Sequence, residues 1–301
     1  MTAWDRVERL IGSDGLHRLA QAHVVVVGVG SGGGFVALSL AMSGVGRFTL
    51  VDMEALEQPN IVRHVADARY LGVNKAQALA DLIAQRNPDA QVRVITGNIT
   101  DHPDALNGAD LMIVGVDGEG MKYHLNEMAL ARNLPAVYAG VYARGEGGDV
   151  CVIRPYDGPC YACWAAELRE GLSAGPVEEL DYGQIGEDGT LKAEPGLWIH
   201  VVRIAAAQAD VALTLLLPGV RPPLPANTLV MANTALEIIE GQTTPPHGAL
   251  WVNIARDPNC LVCGDRLQDV SETPLSIEDL AAQTGDITIE AVEADRRLRD
   301  E

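Results

Sequence analysis

The chain has 301 residues, 48% hydrophobic and 21% charged, with a formal charge of −19, enough length to bury one large core or two modest ones. That acidity argues against nucleic acid as a partner, since phosphate must be met by basic patches, and no apolar run reaches the ~18 residues expected of a membrane helix. The start, Met1 to Asp5, lacks the basic-then-apolar pattern of a leader, and five cysteines, four of them in two CxxC pairs, suit a reducing, cytoplasmic setting and a metal.

In chain order, His23–Val27 is a continuous apolar run, as in a parallel strand buried on both faces. Gly28-Val29-Gly30-Ser31-Gly32-Gly33 forms a turn, Phe35–Ser43 a helix ended by Gly44, and Arg47–Val51 a second strand with Asp52 at its carboxyl end. Lys75–Arg86 has helical apolar spacing and stops at Asn87-Pro88. Gln91–Thr96 and Asp110–Val116 read as strands, the second leading to Asp117; Leu125–Arg132 reads as helix and Ala136–Ala139 as strand. This alternation predicts an α/β, doubly wound, Rossmann-like sheet with ligands beyond the carboxyl ends of its strands. Beyond Gly140 a strand is expected at Asp149–Arg154, then a knuckle at Cys160-x-x-Cys163. A long connection of little periodicity spans about 172–195. Helices are expected at Leu197–Leu217 and Leu229–Ile239, and a strand at Leu250–Ile254 before Cys260-x-x-Cys263. The first 150 residues read as a nucleotide-binding half, 151–265 as a second half with antiparallel strands, and 266–301 as a charged tail with helices near Ser276–Ala282 and Ile289–Leu298.

The glycines Gly28, Gly30 and Gly33 let backbone approach a phosphate at a helix N-terminus, with Ser31 among the amide donors, a weak signal alone. Asp52 has the spacing of a carboxylate gripping ribose hydroxyls; a solvated strand-end acid is the bland alternative. Arg63 and Lys75 discriminate more. A dehydrogenase has no general need for two cations after the ribose acid, whereas nucleotidyl transfer does, because charge develops on phosphate oxygens and on leaving pyrophosphate. Asp117 is placed to hold Mg²⁺ or to cap the following helix. No G-x-x-x-x-G-K-[ST] is present, which excludes a P-loop enzyme. Cys160, Cys163, Cys260 and Cys263 have the pairing of a tetrahedral Cys₄ zinc knot closing a long loop; a redox CxxC would explain one pair but not both.

Several stretches in this order carry a resemblance: Ser43 to Asp52, Pro59-Asn60-Ile61-Val62-Arg63, Leu71 to Lys75, Gly158 to Cys163 and Asp257 to Gly264. From about Arg6 to Asp265 the chain resembles the ThiF/MoeB/HesA family, relatives of the ubiquitin-activating enzymes. The resemblance implies a homodimeric enzyme that binds ATP·Mg²⁺ and adenylates the C-terminal carboxylate of a small ubiquitin-like or sulfur-carrier protein ending in Gly-Gly. It implies that Asp52 holds ribose, that Asn60, Arg63 and Lys75 hold phosphates, that Asp117 places the metal, and that Arg9 reaches the partner subunit's ATP. Alternatives are a peptide, small-molecule or tRNA-borne carboxylate, or a nicotinamide-dependent oxidoreductase. The chain departs from the family pattern at Ser31-Gly32, His64, Gly118 and Lys122. Thioester-forming relatives carry a cysteine in or near the crossover connection. Residues 172–195 contain none, and Cys151 sits in an apolar strand, so adenylation without an enzyme thioester is expected.

Overall fold

The computed structural model describes residues 3–172, 196–239 and 241–265. In chain order the elements are α1 (Asp5–Gln21), β1 (His23–Val27), α2 (Ser31–Met42), β2 (Arg47–Val51), α3 (Lys75–Arg86), β3 (Gln91–Ile95), β4 (Leu111–Val114), α4 (Glu119–Leu130), β5 (Ala136–Val141), β6 (Gly147–Ile153), α5 (Tyr161–Leu172), α6 (Trp198–Leu216), β7 (Thr228–Ala232), β8 (Leu236–Ile239), β9 (Gln242–Thr244) and β10 (Ala249–Val252). Eight strands form one mixed sheet in the order β10-β7-β6-β5-β4-β1-β2-β3. β1 pairs in parallel with β2 and with β4, and the parallel run continues from β2 to β3 and from β4 to β5. The chain then doubles back, and β6, β7 and β10 extend the same sheet by antiparallel pairing.

Side-chain alternation along the strands makes two cores from one sheet. Val24, Val26, Leu50, Ile113 and Val152 pack on one face with α2, α3 and α6. Val25, Val27, Val51, Met112 and Tyr138 pack on the other with α4 and α5. α6 has the length and hydropathy to cross a membrane, yet it lies against α2 and the sheet. There the buried Gln208 donates Nε2 to the carbonyls of Val114 at 3.2 Å and Val137 at 2.9 Å.

Several expected boundaries shift. The expected helix at Leu229–Ile239 is instead two strands, β7 and β8, because Leu229 and Val230 pair with Val150 and Asp149 and the amides of Asn233 and Thr234 turn to the Glu146 carbonyl. α2 and α4 start earlier than expected, at Ser31 and Glu119, and β4 ends at Val114, three residues short of Asp117. α5 grows directly out of the first cysteine pair, where only a knuckle is expected. The 173–195 part of the crossover connection and the tail helices lie outside the described residues.

Candidate nucleotide cleft and cysteine cluster

The glycine turn works by close backbone approach. Gly28 has φ of 83°, and a Cβ there would sit 2.7 Å from the Gly115 carbonyl carbon. A Cβ on Gly33 would lie 2.0 Å from the Gly28 carbonyl oxygen, and one on Gly115 2.4 Å from the same oxygen. The ends of β1 and β4 and the first turn of α2 therefore meet where only glycine fits. Gly30 differs: an added Cβ would have no neighbour within 4 Å. Gly30 is also the N-cap of α2, and the orphan amides of that first turn have no side-chain cap.

Asp52 braces the turn. Its Oδ2 accepts the Val29 amide at 2.7 Å and its Oδ1 the Glu54 amide at 2.9 Å. His64, 8% exposed, does the same from the other side. Its Nδ1 accepts the Ala66 amide at 3.0 Å, so Nε2 carries the proton and donates to the Val29 carbonyl at 2.8 Å. Burial holds its pKa below the ordinary histidine value, the Lys75 charge lowers it further, and Asp52 opposes this.

Asn74 caps α3 through Oδ1, bonding the Ala76 amide at 2.9 Å, and its Nδ2 reaches the Asp52 carbonyl at 3.0 Å. The next residue, Lys75, is thereby fixed near Asp52. Lys75 is 7% exposed and ion-paired with Glu54, whose side chain is 65% exposed. Asn60 lies in a 3₁₀ turn, Gln58–Arg63, and its Oδ1 accepts the Glu57 amide at 2.9 Å. Arg63 ends that turn, immediately before His64; it is half-buried, and its side chain makes no hydrogen bond or ion pair among the described residues. Asp117 is exposed on the segment after β4, and the N-cap of α4 is Gly118, so Asp117 does not cap the helix. Arg9 is an exposed residue of α1, paired with Asp5 at 2.9 Å. Among the described residues no hydrogen bond or ion pair joins it to the glycine turn. Close backbone approach thus joins Gly28 and Gly33, hydrogen bonds join Val29 to Asp52 and His64, and Glu54 and Asn74 tie Lys75 to the same corner, while Asn60, Arg63 and Asp117 follow on adjoining segments. The sequence reading missed Glu54; its signal was an acid two residues after Asp52, at the same strand end.

The four paired cysteines are buried, and their sulfurs lie within 4.8 Å of one another. Cys160 is 3.8 Å from Cys163 and 3.7 Å from Cys260, and Cys163 is 3.5 Å from Cys263. A tetrahedron with Zn–S bonds of about 2.3 Å has S···S edges of about 3.8 Å, so the donor set fits that ion. The Val262 amide points at Cys260 Sγ from 3.4 Å, and Gly264 closes the second knuckle where a Cβ would come within 2.3 Å of the Cys260 carbonyl oxygen. Burial pushes the Cys163 thiol up to about 11 and raises Cys160 further. At Cys260 burial also pushes upward, but hydrogen bonds from the Cys263 and Val262 amides and from the Cys163 and Cys160 thiols together lower the pKa. Cys151 stands apart: it is fully buried in β6, and desolvation holds its thiol well above the ordinary range.

Comparison with known proteins places these features. The ThiF family profile matches residues 5–253. A sulfur carrier protein adenylyltransferase from Thermus thermophilus is 28% identical over 263 residues, 85% of this chain and 87% of the relative. A tRNA threonylcarbamoyladenosine dehydratase from Escherichia coli is 34% identical over 203 residues, 62% of this chain and 71% of the relative. Two other curated relatives are matched over only 59% and 38% of their own length. In fold, the chain is similar to E. coli MccB, with a TM-score of 0.65 at 21% identity, covering 88% of this chain and 75% of that one.

Proposed function

The chain belongs to the ThiF family, and from that premise we propose that its glycine-turn cleft binds ATP and adenylates the C-terminal carboxylate of a small ubiquitin-like or sulfur-carrier protein. The observation that carries this reading is the brace around Asp52, which ties Val29 of the glycine turn to Glu54 and, through Asn74, to the helix bearing Lys75. One cluster thus offers a ribose acceptor, uncapped helix amides and a buried cation. A nicotinamide-dependent enzyme has no general need for two cations, Arg63 and Lys75, after such an acid.

In this reading Asp52 accepts the ribose hydroxyls, and the Gly30, Ser31 and Gly33 segment meets the phosphates. Asn60, Arg63 and Lys75 hold phosphate oxygens, Arg63 as a fork and Lys75 as a point charge. Asp117 would hold Mg²⁺, which when bound would supply charge neutralisation to the leaving pyrophosphate. An oxygen of the acceptor carboxylate attacks the α-phosphorus as the bond to pyrophosphate breaks. Positioning and fixed charge suffice, and no enzyme nucleophile is needed. The buried Cys151 and the absence of cysteine from 172–195 fit a path without an enzyme thioester. The Cys₄ cluster is assigned to structural zinc, and Arg9, which pairs with Asp5 among the described residues, to the ATP site of a partner subunit in a homodimer. A reducing cytoplasm keeps the four thiols available to metal.

The test is carboxylate-dependent exchange of labelled pyrophosphate into ATP, with carriers ending in Gly-Gly. Arg63→Ala and Asp117→Ala should abolish exchange at unchanged Tm; normal exchange in both removes the phosphate-site assignment. A tRNA-borne carboxylate is the second reading, favoured by the likeness to the dehydratase and opposed by the −19 charge.

A further inference from the structure

The turn between β5 and β6 breaks a local rule. Arg144 and Gly145 have φ of 56° and 70°, and the Glu146 amide bonds the Ala143 carbonyl at 3.2 Å. Two successive left-handed residues inside such a bond make a type I′ turn, whose first position favours Asn, Asp or Gly. Arginine there stores backbone strain, a feature that concentrates at functional sites.

The surroundings hold the turn in that shape. Asn233 Nδ2 donates to the Gly145 carbonyl at 2.9 Å, and the Asn233 amide to the Glu146 carbonyl at 2.7 Å. The His200 ring presses on Gly145, where a Cβ would fall 2.2 Å from Nδ1, and that nitrogen is buried with no hydrogen-bond partner among the described residues. The Arg144 side chain is exposed and makes no hydrogen bond or ion pair among the described residues. It lines a cleft of about 450 Å³ with Gly196, Leu197 and His200.

That cleft adjoins the nucleotide site. The turn follows the carboxyl end of β5, the same sheet edge as Gly28. One residue beyond His200, Val201 comes within 3.9 Å of a Cβ on Gly32, and Trp198 packs edge-on against Phe35 of α2 with ring centroids 6.4 Å apart. We propose that Arg144 and the His200 cleft form the acceptor subsite, which receives the free C-terminal carboxylate of a polypeptide and presents it to the glycine turn. This rests on the adenylation reading. A carboxylate approaching a triphosphate is repelled, and an unpaired guanidinium on the opposite flank from Arg63 and Lys75 offsets that repulsion while leaving one oxygen free to attack.

The test uses a short synthetic peptide ending in Gly-Gly, as the free acid and as the C-terminal amide, titrated calorimetrically into the full chain with α,β-methylene-ATP bound. Wild type should prefer the acid at least tenfold. Arg144→Asn should lose that preference, keep the affinity for the nucleotide, and melt at the same temperature or up to roughly 3 °C higher, because Asn suits the left-handed position. Arg144→Lys should keep part of the preference. Wild-type indifference between acid and amide, or a retained preference in Arg144→Asn, overturns the subsite. A drop in Tm in Arg144→Asn assigns the arginine to structure instead. Failure of wild type to bind the nucleotide overturns the adenylation reading, and is seen separately from these.

Discussion

The ion pair between Lys75 and Glu54 makes a sharp test of the phosphate assignment. Lys75 is 7% exposed, whereas the Glu54 side chain is 65% exposed and free to swing into solvent. If Lys75 meets a phosphate, Glu54 occupies that place only until nucleotide arrives, and binding must displace it. A hydrogen bond to a charged group contributes about 1.5–3 kcal/mol when buried, and the exposure of Glu54 reduces this to about 1 kcal/mol. Glu54→Ala therefore has two opposite effects. Without nucleotide, Lys75 is left buried and unpaired, and Tm should fall by roughly 2–4 °C. With nucleotide, no displacement is needed, and about 1 kcal/mol corresponds to roughly fivefold tighter ATP binding. Lys75→Ala should weaken ATP binding in either background. Thermal melts and calorimetric titration read both quantities. Weaker ATP binding in Glu54→Ala would make Glu54 a ligand contact, and unchanged binding would remove Lys75 from the phosphates; either outcome refutes the reasoning.

Three further predictions concern the same core. Gly33→Ala should destabilise by about 3 kcal/mol, because its Cβ would meet the Gly28 carbonyl at 2.0 Å, whereas Gly30→Ala, with no neighbour within 4 Å, should leave Tm intact yet weaken ATP binding at least tenfold; equal Tm for the two variants contradicts the packing argument. The folded state keeps His64 neutral with a pKa below 6.5, so the unfolded chain binds more protons and stability should decline as pH falls below 6.5; His64→Gln, which can make both bonds, should flatten the Tm–pH profile there, and identical profiles count against it. The purified chain should hold about one zinc, and Cys163→Ser should release it and cost several kcal/mol; a native, folded chain free of zinc excludes the assignment.

Much of this was legible in the residues. The parallel strands are unbroken apolar runs, and the glycine turn, Asp52 and Lys75 sit at their ends because that is where a wound sheet opens. What escaped did so for identifiable reasons. Tyr161, Trp164, Ala165 and Leu168 have the i, i+3, i+4, i+7 spacing of a helix face, but the cysteine pair drew the eye to a knuckle; all four pack in the α4–α5 core. Residues 229–239 are apolar enough for either periodicity, and pairing decides for strand, with β6 for 229–232 and with β9 for 236–239. α1 buries only Gly15 and Leu19 and is broken at Gly12, with φ of 75°, so it has little amphipathic signal. Arg144 was invisible because its neighbours, not its own propensity, dictate its backbone.

The cysteine cluster and the proposed metal-binding acid look remote in sequence, yet the packing joins them. Cys160 is followed by Tyr161, whose amide donates to Asn126 Oδ1 at 2.9 Å and whose hydroxyl donates to Glu119 Oε2 at 2.9 Å. Glu119 also receives Lys122 Nζ at 3.0 Å and is the first residue of α4, two beyond Asp117. The Tyr161 ring stacks on Tyr138 of β5 and on Trp164, at centroid distances of 4.5 Å and 5.4 Å. A metal that clamps Cys160 therefore anchors the residue that holds the first turn of α4, and with it the segment carrying Asp117. Loss of metal should then be felt at Asp117 before the sheet melts. Its strands bury their side chains independently of the knuckle, whereas the α4 N-terminus has no side-chain cap. Tyr161→Phe tests this link, since it keeps the stacking and the cysteines and removes the hydroxyl that bonds Glu119. It should retain zinc and lose about 1 kcal/mol of stability, while the Mg²⁺ concentration needed for half-maximal exchange rises. An unchanged Mg²⁺ requirement would uncouple the two sites.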